Sequence, residues 1–449
     1  MRVYKKTILF IKNHFILLIM NILTIYISIS GWNYYDIRYF IAWYEEYFKT
    51  GKLLEIYSSE LKVAYPPLAI LLFIIPHAVA TMISSNIIVW RLIDKLPLLA
   101  SYNAGYFILR KHYGKLASYL WLINPVALSF IYSYQFDIIA SLFILLALLS
   151  IEKKNYKLHG LFITLALLIK HAIAVIGIIP IIELIKNRNW RELLSYIGVI
   201  ITTVTIFVAP FIIVDPWGFF NKVIWFHAKR PPQQLSIWAI PSYLANYDLS
   251  ILPAFYNYIW IIAMAIYLLL VLRLAWRDRI EIPIDYYIKY HVLILAGFLV
   301  LSKVSNIPYF LWITPSLILL IFKLKDSDRK LTSNMVKLYL FTTVMITFFF
   351  SLLVTLAPVV AGFPVFIFED WNWIPIDKFL VEGLGYAPYD YSYLIILSIR
   401  SIPMLREASR SIALIHHYFL VVVCIVYAIA LAYFANIARK YPEIAHKTR

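Results

Sequence analysis

A lone carboxylate and a set of cations provide the candidate chemistry of this sequence. Asp36 follows the first apolar stretch and opens a polar, aromatic segment that closes at Tyr65, before two prolines. Lys229, Arg230 and Lys303 lie in later segments that also separate apolar stretches. A carboxylate can act as a general base toward a hydroxyl group, and positioned cations bind phosphate groups. The residue types therefore predict an anion site that faces a loop carboxylate.

Asp36 has two possible roles. Residues 36–49 repeat aromatic or apolar side chains at roughly helical spacing, which predicts an amphipathic helix on the membrane surface. Such a helix would hold Asp36 at the level of the lipid headgroups. Alternatively, Asp36 is an N-cap that accepts backbone N–H groups at the start of this helix. The two roles compete, because hydrogen bonds to the charged form make a carboxylate less basic.

Two polar islands interrupt the apolar stretches further along the chain. One contains Gln135 and Asp137, and the other contains Lys170 and His171. Polar and ionisable residues are costly inside a membrane protein, so they indicate functional sites. Gln135 and Asp137 could instead form a turn and a helix cap. Lys170 lies far from either end of its apolar stretch, so we expect it at a polar cavity, paired with a phosphate or a carboxylate.

Composition predicts the fold class. The chain has 449 residues, of which 62% are hydrophobic and 14% are charged, and its mean hydropathy is +0.78. So few charges cannot solvate the surface of a soluble protein of this size. We therefore predict an all-α polytopic membrane protein, a helical bundle with roughly 11 to 13 transmembrane helices. The single cysteine, Cys424, excludes a disulfide within the chain.

The net charge of +17 follows the expected membrane topology. Basic residues cluster in short segments between apolar stretches, as in cytoplasmic loops, so we predict membrane lipids and not nucleic acid as partners. Acidic residues gather in other segments, and we place loops 32–64, 214–250 and 359–410 on the non-cytoplasmic side. The basic N-terminus leads into a long apolar stretch without a persuasive cleavage site, which predicts a retained signal anchor.

One transmembrane domain is predicted to span the whole chain. Within it, residues 1–250, which carry most of the candidate site residues, form one module and residues 251–449 form a C-terminal module. Placing every basic cluster in the cytoplasm leaves one crossing too many before Asp215. We therefore expect a broken or partial helix in one of two charge-interrupted stretches, 85–110 or 158–183, because irregular backbone survives at membrane depth only beside protein or water.

The order of these motifs resembles the GT-C superfamily of glycosyltransferases over about residues 20–320. The chain is similar to prokaryotic polyprenol-phosphate-mannose mannosyltransferases and to dolichyl-phosphate-glucose glucosyltransferases. Many relatives carry two acids around the first-loop aspartate, whereas Asp36-Ile37-Arg38 has no Asp-x-Asp, which makes a metal-bridged donor less expected. The motifs that carry the resemblance are Asp36 with Tyr39, Gly51-Lys52 with Tyr57, Tyr65-Pro66-Pro67-Leu68, Asn124-Pro125, Gln135-Phe136-Asp137, Leu167 to His171, His227 to Pro232, Ser236-Ile237-Trp238 and Ser302 to Trp312.

The resemblance implies a GT-C-like bundle and a membrane hexosyltransferase without a cofactor. It would move a hexose from a polyprenyl (dolichyl) phosphate sugar to a lipid-linked glycan or a similar acceptor on the non-cytoplasmic face, with inversion. Asp36 would act as the general base, and cations would stabilise the phosphate leaving group. The likeness to prokaryotic relatives suggests the plasma membrane. The substrate-binding residues implied are Tyr39, Tyr65, Gln135, Asp137, Lys170, His171, His227, Lys229, Arg230, Lys303 and Tyr309.

Two alternatives stay open at this point. A polytopic transporter or lipid flippase would explain the intramembrane charges equally well. It explains the segment around Asp36 and the Tyr65-Pro66-Pro67 motif less well, and the chain lacks the internal repeats typical of many transporters. A related glycosyltransferase could instead decorate a lipid or a protein directly. Product formation without a gradient would identify an enzyme, and the mass of the product would identify the acceptor.

Overall fold

The computed structural model describes residues 2–32, 34–367, 372–376 and 398–446. Within these ranges the chain is almost entirely helical, and its strands form two small two-stranded sheets. This confirms the prediction of an all-α polytopic membrane protein. Part of the predicted loop 359–410, namely residues 368–371 and 377–397, lies outside the described residues.

Helices joined by short turns make up the first part of the chain. The α-helices there are α1 (Arg2–Ser30), α2 (Tyr34–Ala42), α3 (Pro67–Ile83), α4 (Ile87–Asp94), α5 (Leu96–Leu122), α6 (Pro125–Tyr132), α7 (Asp137–Glu152), α8 (Tyr156–Leu167), α9 (Ile178–Lys186) and α10 (Trp190–Val214). A π-helical segment, Trp43–Phe48, extends α2, and 3-10 helices cover Leu53–Ser58 and His171–Gly177. Proline begins α3 and α6, where its missing N–H leaves no hydrogen bond unmade.

The second part of the chain combines long helices with helices of only four or five residues. The α-helices there are α11 (Pro216–Phe219), α12 (Phe226–Lys229), α13 (Ile240–Leu244), α14 (Tyr256–Arg277), α15 (Pro283–Leu301), α16 (Phe310–Leu324), α17 (Arg329–Val344), α18 (Ala357–Ala361) and α19 (Pro403–His446). The π-helical turns are Phe220–Trp225, Met345–Phe349 and Leu352–Leu356, and the 3-10 turns are Ile237–Ala239 and Ile307–Tyr309. Strands β1 (Gln233–Gln234) and β2 (Val304–Ser305) pair in parallel, whereas β3 (Val365–Ile367) and β4 (Asn372–Ile374) pair antiparallel.

The described helices include five that are long and apolar enough to cross a membrane, and a sixth span results if α5 and α6, bent by 57°, count together. The five are Trp190–Val214, Tyr258–Arg277, Pro283–Leu301, Ile307–Leu324 and Pro403–Tyr441. Shorter apolar helices cover His14–Ser30, Pro67–Ile83 and Tyr156–Leu167. This count is lower than the predicted roughly 11 to 13, because several apolar stretches are divided among helices too short to cross the hydrocarbon core alone. The larger number stays a prediction.

The stretch 158–183 turns back on itself. Lys170, near the middle of this stretch, lies with Nζ 3.6 Å from Oδ2 of Asp137, at the start of α7. The two ends of the stretch meet, because Tyr156 donates a hydrogen bond to Glu183 over 2.9 Å. The chain therefore runs along α7 through α8 to Lys170 and returns through the 3-10 helix and α9. The helical stretch 158–183 is therefore broken, and the stretch 85–110 is also divided, between α4 and α5. The number of membrane crossings before Asp215 stays a prediction.

The predicted amphipathic helix is α2 with its π-helical extension. Its buried residues are Ile37, Phe40, Trp43 and Tyr44, and its exposed polar residues include Glu45, Glu46 and Lys49. Phe40 contacts the rings of Tyr65 and Phe136, with centroid distances of 5.7 and 5.6 Å. This packing fixes the segment that carries Asp36 against the turn that carries Gln135.

Buried cations hold the end of α1. Lys95 donates from Nζ to the carbonyl oxygens of Ser28, over 3.0 Å, and Gly31, over 2.6 Å. Arg91 donates to another carbonyl of the same turn. Carbonyl groups at a helix C-terminus lack intrahelical donors and carry partial negative charge, so cations suit this position. These contacts fix where α1 ends and where the loop that carries Asp36 begins.

Candidate active site

Asp36 contacts a turn that lies far from it in sequence. The Gln135 side-chain amide donates to Asp36 Oδ2 over 2.6 Å, and the Tyr65 hydroxyl donates to Gln135 Oε1 over 3.3 Å. Gln135 is buried, whereas Asp36 and Tyr65 are partly exposed. Because α2 begins at Tyr34, Asp36 lies in the first turn of the helix and not at its N-cap position. A partly accessible carboxylate is thus oriented by a buried amide.

A second carboxylate, Asp137, is buried at the start of α7. Its Oδ1 accepts a hydrogen bond from Trp312 Nε1 over 2.8 Å, and its Oδ2 pairs with the Lys170 ammonium. Lys170 also lies over the rings of Tyr65 and Tyr309, with Nζ 4.6 and 5.7 Å from the centroids. A buried carboxylate is unfavourable unless it is paired. The ion pair therefore holds the Lys170 ammonium between two aromatic rings.

The segment after α10 packs against loop 32–64. Lys222 donates from Nζ to the carbonyl oxygens of Ser59 and Leu61. Asp215 caps α11 by accepting a hydrogen bond from the Gly218 N–H over 2.8 Å. A Cβ at Gly218 would lie 2.5 Å from the Tyr57 carbonyl oxygen, so only glycine allows this close approach of two backbones. These contacts bring the residues that follow α11 to the candidate site.

His227 lies where this segment meets the 3-10 helix after Lys170. Its Nε2 is 3.0 Å from the Ala64 carbonyl oxygen, and its ring centroid is 4.7 Å from that of His171. Burial, together with repulsion from His171 and Arg230, holds the pKa of His227 well below its ordinary value. The imidazole is therefore neutral near pH 7. Its Nε2–H donates a hydrogen bond to the Ala64 carbonyl oxygen.

Arg230 and Lys303 are neighbouring buried cations. The β1–β2 pairing joins their segments, because the Gln233 N–H donates to the Lys303 carbonyl oxygen over 2.8 Å. Lys303 Nζ donates to the Ala228 carbonyl oxygen over 2.5 Å. Burial, and then repulsion from Arg230, lower the pKa of Lys303 to about 8. Two adjacent cations in a desolvated setting favour the binding of an anion such as phosphate.

Tyr39 lies on α2, within loop 32–64. Its hydroxyl accepts a hydrogen bond from Arg38 over 3.0 Å. The Lys62 ammonium lies 5.6 Å from the Tyr39 ring centroid and 5.5 Å from that of Phe226, the residue before His227. Lys62 therefore adds positive charge beside the candidate site, between the two segments that build it.

Lys229 stands apart from the other predicted site residues. Its side chain is exposed and lies over the Trp225 ring, 5.5 Å from the centroid, whereas its neighbour Arg230 is buried beside Lys303. The sequence grouped Lys229 with these cations because the two residues are adjacent. Successive residues at a helix end point in different directions, so adjacency does not put both side chains in one site.

Sequence reasoning omitted three residues that contact the predicted site: Arg38, Lys62 and Trp312. Trp312 had a signal, since it closes the motif that contains Lys303 and Tyr309, but nothing in the pattern indicated its bond to Asp137. Lys62 and Arg38 had no signal beyond their place in loop 32–64. Within the described part of the chain, no group of three or more His, Cys, Asp or Glu side chains could hold a metal ion.

Comparison with known proteins gives one match. The model of glycosyltransferase family 87 matches residues 64–302, just over half of the chain. No curated protein and no solved structure matches. The matched range contains Tyr65, Gln135, Asp137, Lys170, His171, His227, Lys229 and Arg230, whereas Asp36, Tyr39, Lys303 and Tyr309 lie outside it.

Proposed function

The chain belongs to glycosyltransferase family 87 and is a membrane glycosyltransferase, and we propose that it moves a hexose from a polyprenyl (dolichyl) phosphate sugar to a lipid-linked glycan or a similar acceptor. The proposed reaction takes place on the non-cytoplasmic face of the plasma membrane and needs no metal or cofactor. Membership of a glycosyltransferase family favours an enzyme over the transporter or flippase that the sequence left open.

Asp36 acts as the general base in this proposal. Its carboxylate takes the proton of an acceptor hydroxyl while that oxygen forms a bond to the anomeric carbon of the donor. The bond between the anomeric carbon and the phosphate oxygen breaks, and its electron pair stays on the polyprenyl phosphate. Because the displacement has a single step, the configuration at the anomeric carbon inverts.

Arg230 and Lys303 stabilise the leaving phosphate in this proposal. A phosphate group is a weak base, so its departure requires compensation of charge and not a general acid. Preorganised cations supply that compensation without reorganisation during the reaction. Lys170 adds a further positive charge, which Asp137 holds in place. Hydroxyl groups of the sugar and the acceptor are bound by the remaining candidate side chains, which are Tyr39, Gln135, His171, His227 and Tyr309.

The observation that best supports the proposal is the position of Tyr65. Its hydroxyl bonds to Gln135, the partner of Asp36, and its ring lies under the Lys170 ammonium. Burial raises the pKa of Tyr65 well above its ordinary value, Asp36 raises it further, and Arg230 lowers it, so both charges lie close to this side chain. A donor seated at Tyr65 would have the base and the cations within reach.

The proposed activity is tested with purified protein, radiolabelled polyprenyl-phosphate hexoses and candidate lipid-linked acceptors, without any gradient. We expect a labelled product whose mass equals that of the acceptor plus one hexose, formed at the same rate after chelation with EDTA. NMR of the new linkage reports inversion. Uptake of intact donor into vesicles without bond cleavage would identify a carrier instead. Transfer of the labelled hexose to protein or to an unglycosylated lipid would instead identify a glycosyltransferase that modifies these acceptors directly.

The proposed sidedness has its own test. Glu46 is exposed near the candidate site, and Lys153 is exposed at the other end of α7. In right-side-out vesicles of the Glu46→Cys and Lys153→Cys variants, a membrane-impermeant maleimide should label only the first. Cys424 is buried and gives little background. Labelling of Lys153→Cys alone would put the candidate site on the cytoplasmic side.

A further inference from the structure

A cavity of about 540 Å³ lies at the opposite end of α16 from Trp312. It is formed by the turn between α16 and α17, the first turns of α17 and the part of α5 that follows the break at Gly114. The residues that line it are Leu116, Lys325, Asp326, Arg329, Thr332, Ser333, Val336 and Lys337. Nothing in the proposed transfer reaction uses this cavity.

The lining combines charge with hydroxyl groups. Lys325, Arg329 and Lys337 give three positive charges against the one negative charge of Asp326. Ser333 lies one helical turn before Lys337 on α17, so the hydroxyl and the ammonium face the same side. Guanidinium, ammonium and hydroxyl donors around a concave surface are the groups that bind a phosphodiester.

The face of α17 that carries Lys337 continues as an apolar surface. Phe341 and Val344 follow on α17 and are 54% and 47% exposed, and Phe348, in the π-helical turn that continues α17, is 59% exposed. Exposed apolar side chains in this number are expected to contact lipid acyl chains in a membrane protein. A ligand whose charged headgroup binds Lys337 could therefore place its hydrocarbon tail along these apolar side chains.

We propose that this cavity binds the headgroup of an anionic phospholipid, whose acyl chains lie along Phe341, Val344 and Phe348. The phosphodiester is held by Lys325, Arg329 and Lys337. The basic loops lie at this end of the bundle, so the lipid belongs to the leaflet that faces the predicted cytoplasmic side. The bound lipid connects α17 to the turn after α16, the helix whose other end carries Trp312.

A soluble phosphate compound would recognise the same cations but would not use the apolar face. A basic loop that serves only topology would show no preference for one cavity over another basic cluster. These alternatives differ in which ligand binds and in which variant loses it. They are separated by comparing phosphatidylglycerol with glycerol 3-phosphate and by comparing cavity cations with other cations at the same end.

The test uses the full-length protein in detergent, titrated with phosphatidylglycerol or phosphatidylcholine and observed by native mass spectrometry and thermal unfolding. We expect retention of phosphatidylglycerol and a rise in Tm, with neither effect from phosphatidylcholine or glycerol 3-phosphate. The combined variant Lys325→Gln, Arg329→Gln and Lys337→Gln should lower the apparent affinity roughly tenfold or more. Phe341→Ser should lower it as well, because the acyl chain loses a contact.

The matched control combines Lys153→Gln, Lys157→Gln and Arg191→Gln, which removes three exposed cations from other basic clusters. This control should retain phosphatidylglycerol as the unchanged protein does. Equal loss in the control and the cavity variant would overturn the proposal in favour of general attraction to charge. Stabilisation by glycerol 3-phosphate equal to that by the lipid would overturn it in favour of a soluble ligand.

Discussion

The Gln135 side-chain amide donates a hydrogen bond to the Asp36 carboxylate over 2.6 Å, although the two residues are 99 positions apart in the sequence. The same amide accepts a hydrogen bond from the Tyr65 hydroxyl. Because the amide oxygen is engaged by Tyr65, the amide nitrogen is the end that faces Asp36. The orientation of the proposed base therefore depends on residues from two other segments of the chain.

Asp36→Asn should abolish transfer. The amide has the shape of the carboxylate but cannot take a proton from the acceptor hydroxyl, and a general base contributes about 10²- to 10⁴-fold to the rate. We expect kcat to fall by about that factor, with donor binding unchanged, in an assay with radiolabelled donor. Asp215→Asn is the matched control, because asparagine also caps a helix and Asp215 contacts Gly218 of α11. Normal turnover by Asp36→Asn would remove Asp36 from the base role.

Gln135→Glu should change the pH dependence of transfer. A second carboxylate 2.6 Å from Asp36 would share a proton with it, since two like charges so close are unfavourable. Asp36 would then be free to accept a proton only at higher pH, so the acid limb of kcat/KM should move upward. Gln135→Leu should lower kcat and move that limb upward by less than Gln135→Glu does, because it removes a hydrogen bond to the carboxylate but adds no charge. A pH profile that stays in place in Gln135→Glu would show that Gln135 and the base are uncoupled.

The lowered pKa of Lys303 predicts that kcat/KM for the donor declines at alkaline pH. Burial, and then repulsion from Arg230, lower the pKa of Lys303 to about 8. Below that pH the side chain is a cation that stabilises the phosphate, and above it the positive charge is lost. We expect kcat/KM for the donor to fall as the pH rises through about 8. A bound phosphate favours the charged form, so the corresponding limb of kcat should appear at higher pH.

The Lys303→Arg variant tests whether the titration of Lys303 causes the alkaline limb of kcat/KM. Arginine stays protonated throughout the accessible range, so the alkaline limb should disappear even if the maximal rate is lower. Lys303→Gln should lower kcat/KM below about pH 8, toward the value that the unchanged protein has at higher pH, and should also lack the limb. Persistence of the limb in both variants would assign it to another group.

The polar islands could be predicted from sequence, but their contacts could not. Lys170 and Asp137 stand out because a charge far from the end of an apolar stretch needs a partner. Their pairing depends on α7 and α8 packing as a hairpin, which returns the chain after α8 to the start of α7. Periodicity alone cannot distinguish one long helix from two short ones. The β1–β2 pairing that joins the Arg230 and Lys303 segments involves two residues per strand, which is too short for any alternation to be recognised.

The buried charges at the end of α1 show a different limit. Arg91, Asp94 and Lys95 marked an irregular stretch, and the sequence treated them as a possible break in a helix. The structure buries all three, and two of them hold the carbonyl groups that end α1. A sequence contains no signal for a cation that caps a helix more than 60 residues away.

Lys95→Met should destabilise the protein through α1. Methionine fills a similar volume but cannot donate to the carbonyl oxygens of Ser28 and Gly31. Buried carbonyl groups left without a donor cost about 1–3 kcal/mol, so Tm in detergent should fall by several degrees. Lys111→Met, an exposed position on α5, should change stability by less than about 0.5 kcal/mol. If the two variants have the same Tm, the contacts of Lys95 contribute nothing to the stability of the fold.

Arg230→Gln and Lys229→Gln form the sharpest comparison, because the two residues are adjacent and carry the same charge. Arg230 is buried beside Lys303, whereas Lys229 is exposed over Trp225. A hydrogen bond to a charged group contributes about 1.5–3 kcal/mol, so Arg230→Gln should lower kcat/KM for the donor by about 10- to 100-fold. Lys229→Gln should stay within about twofold. Equal losses that vanish at high salt would mean that the segment attracts the donor by net charge and that neither side chain contacts the phosphate.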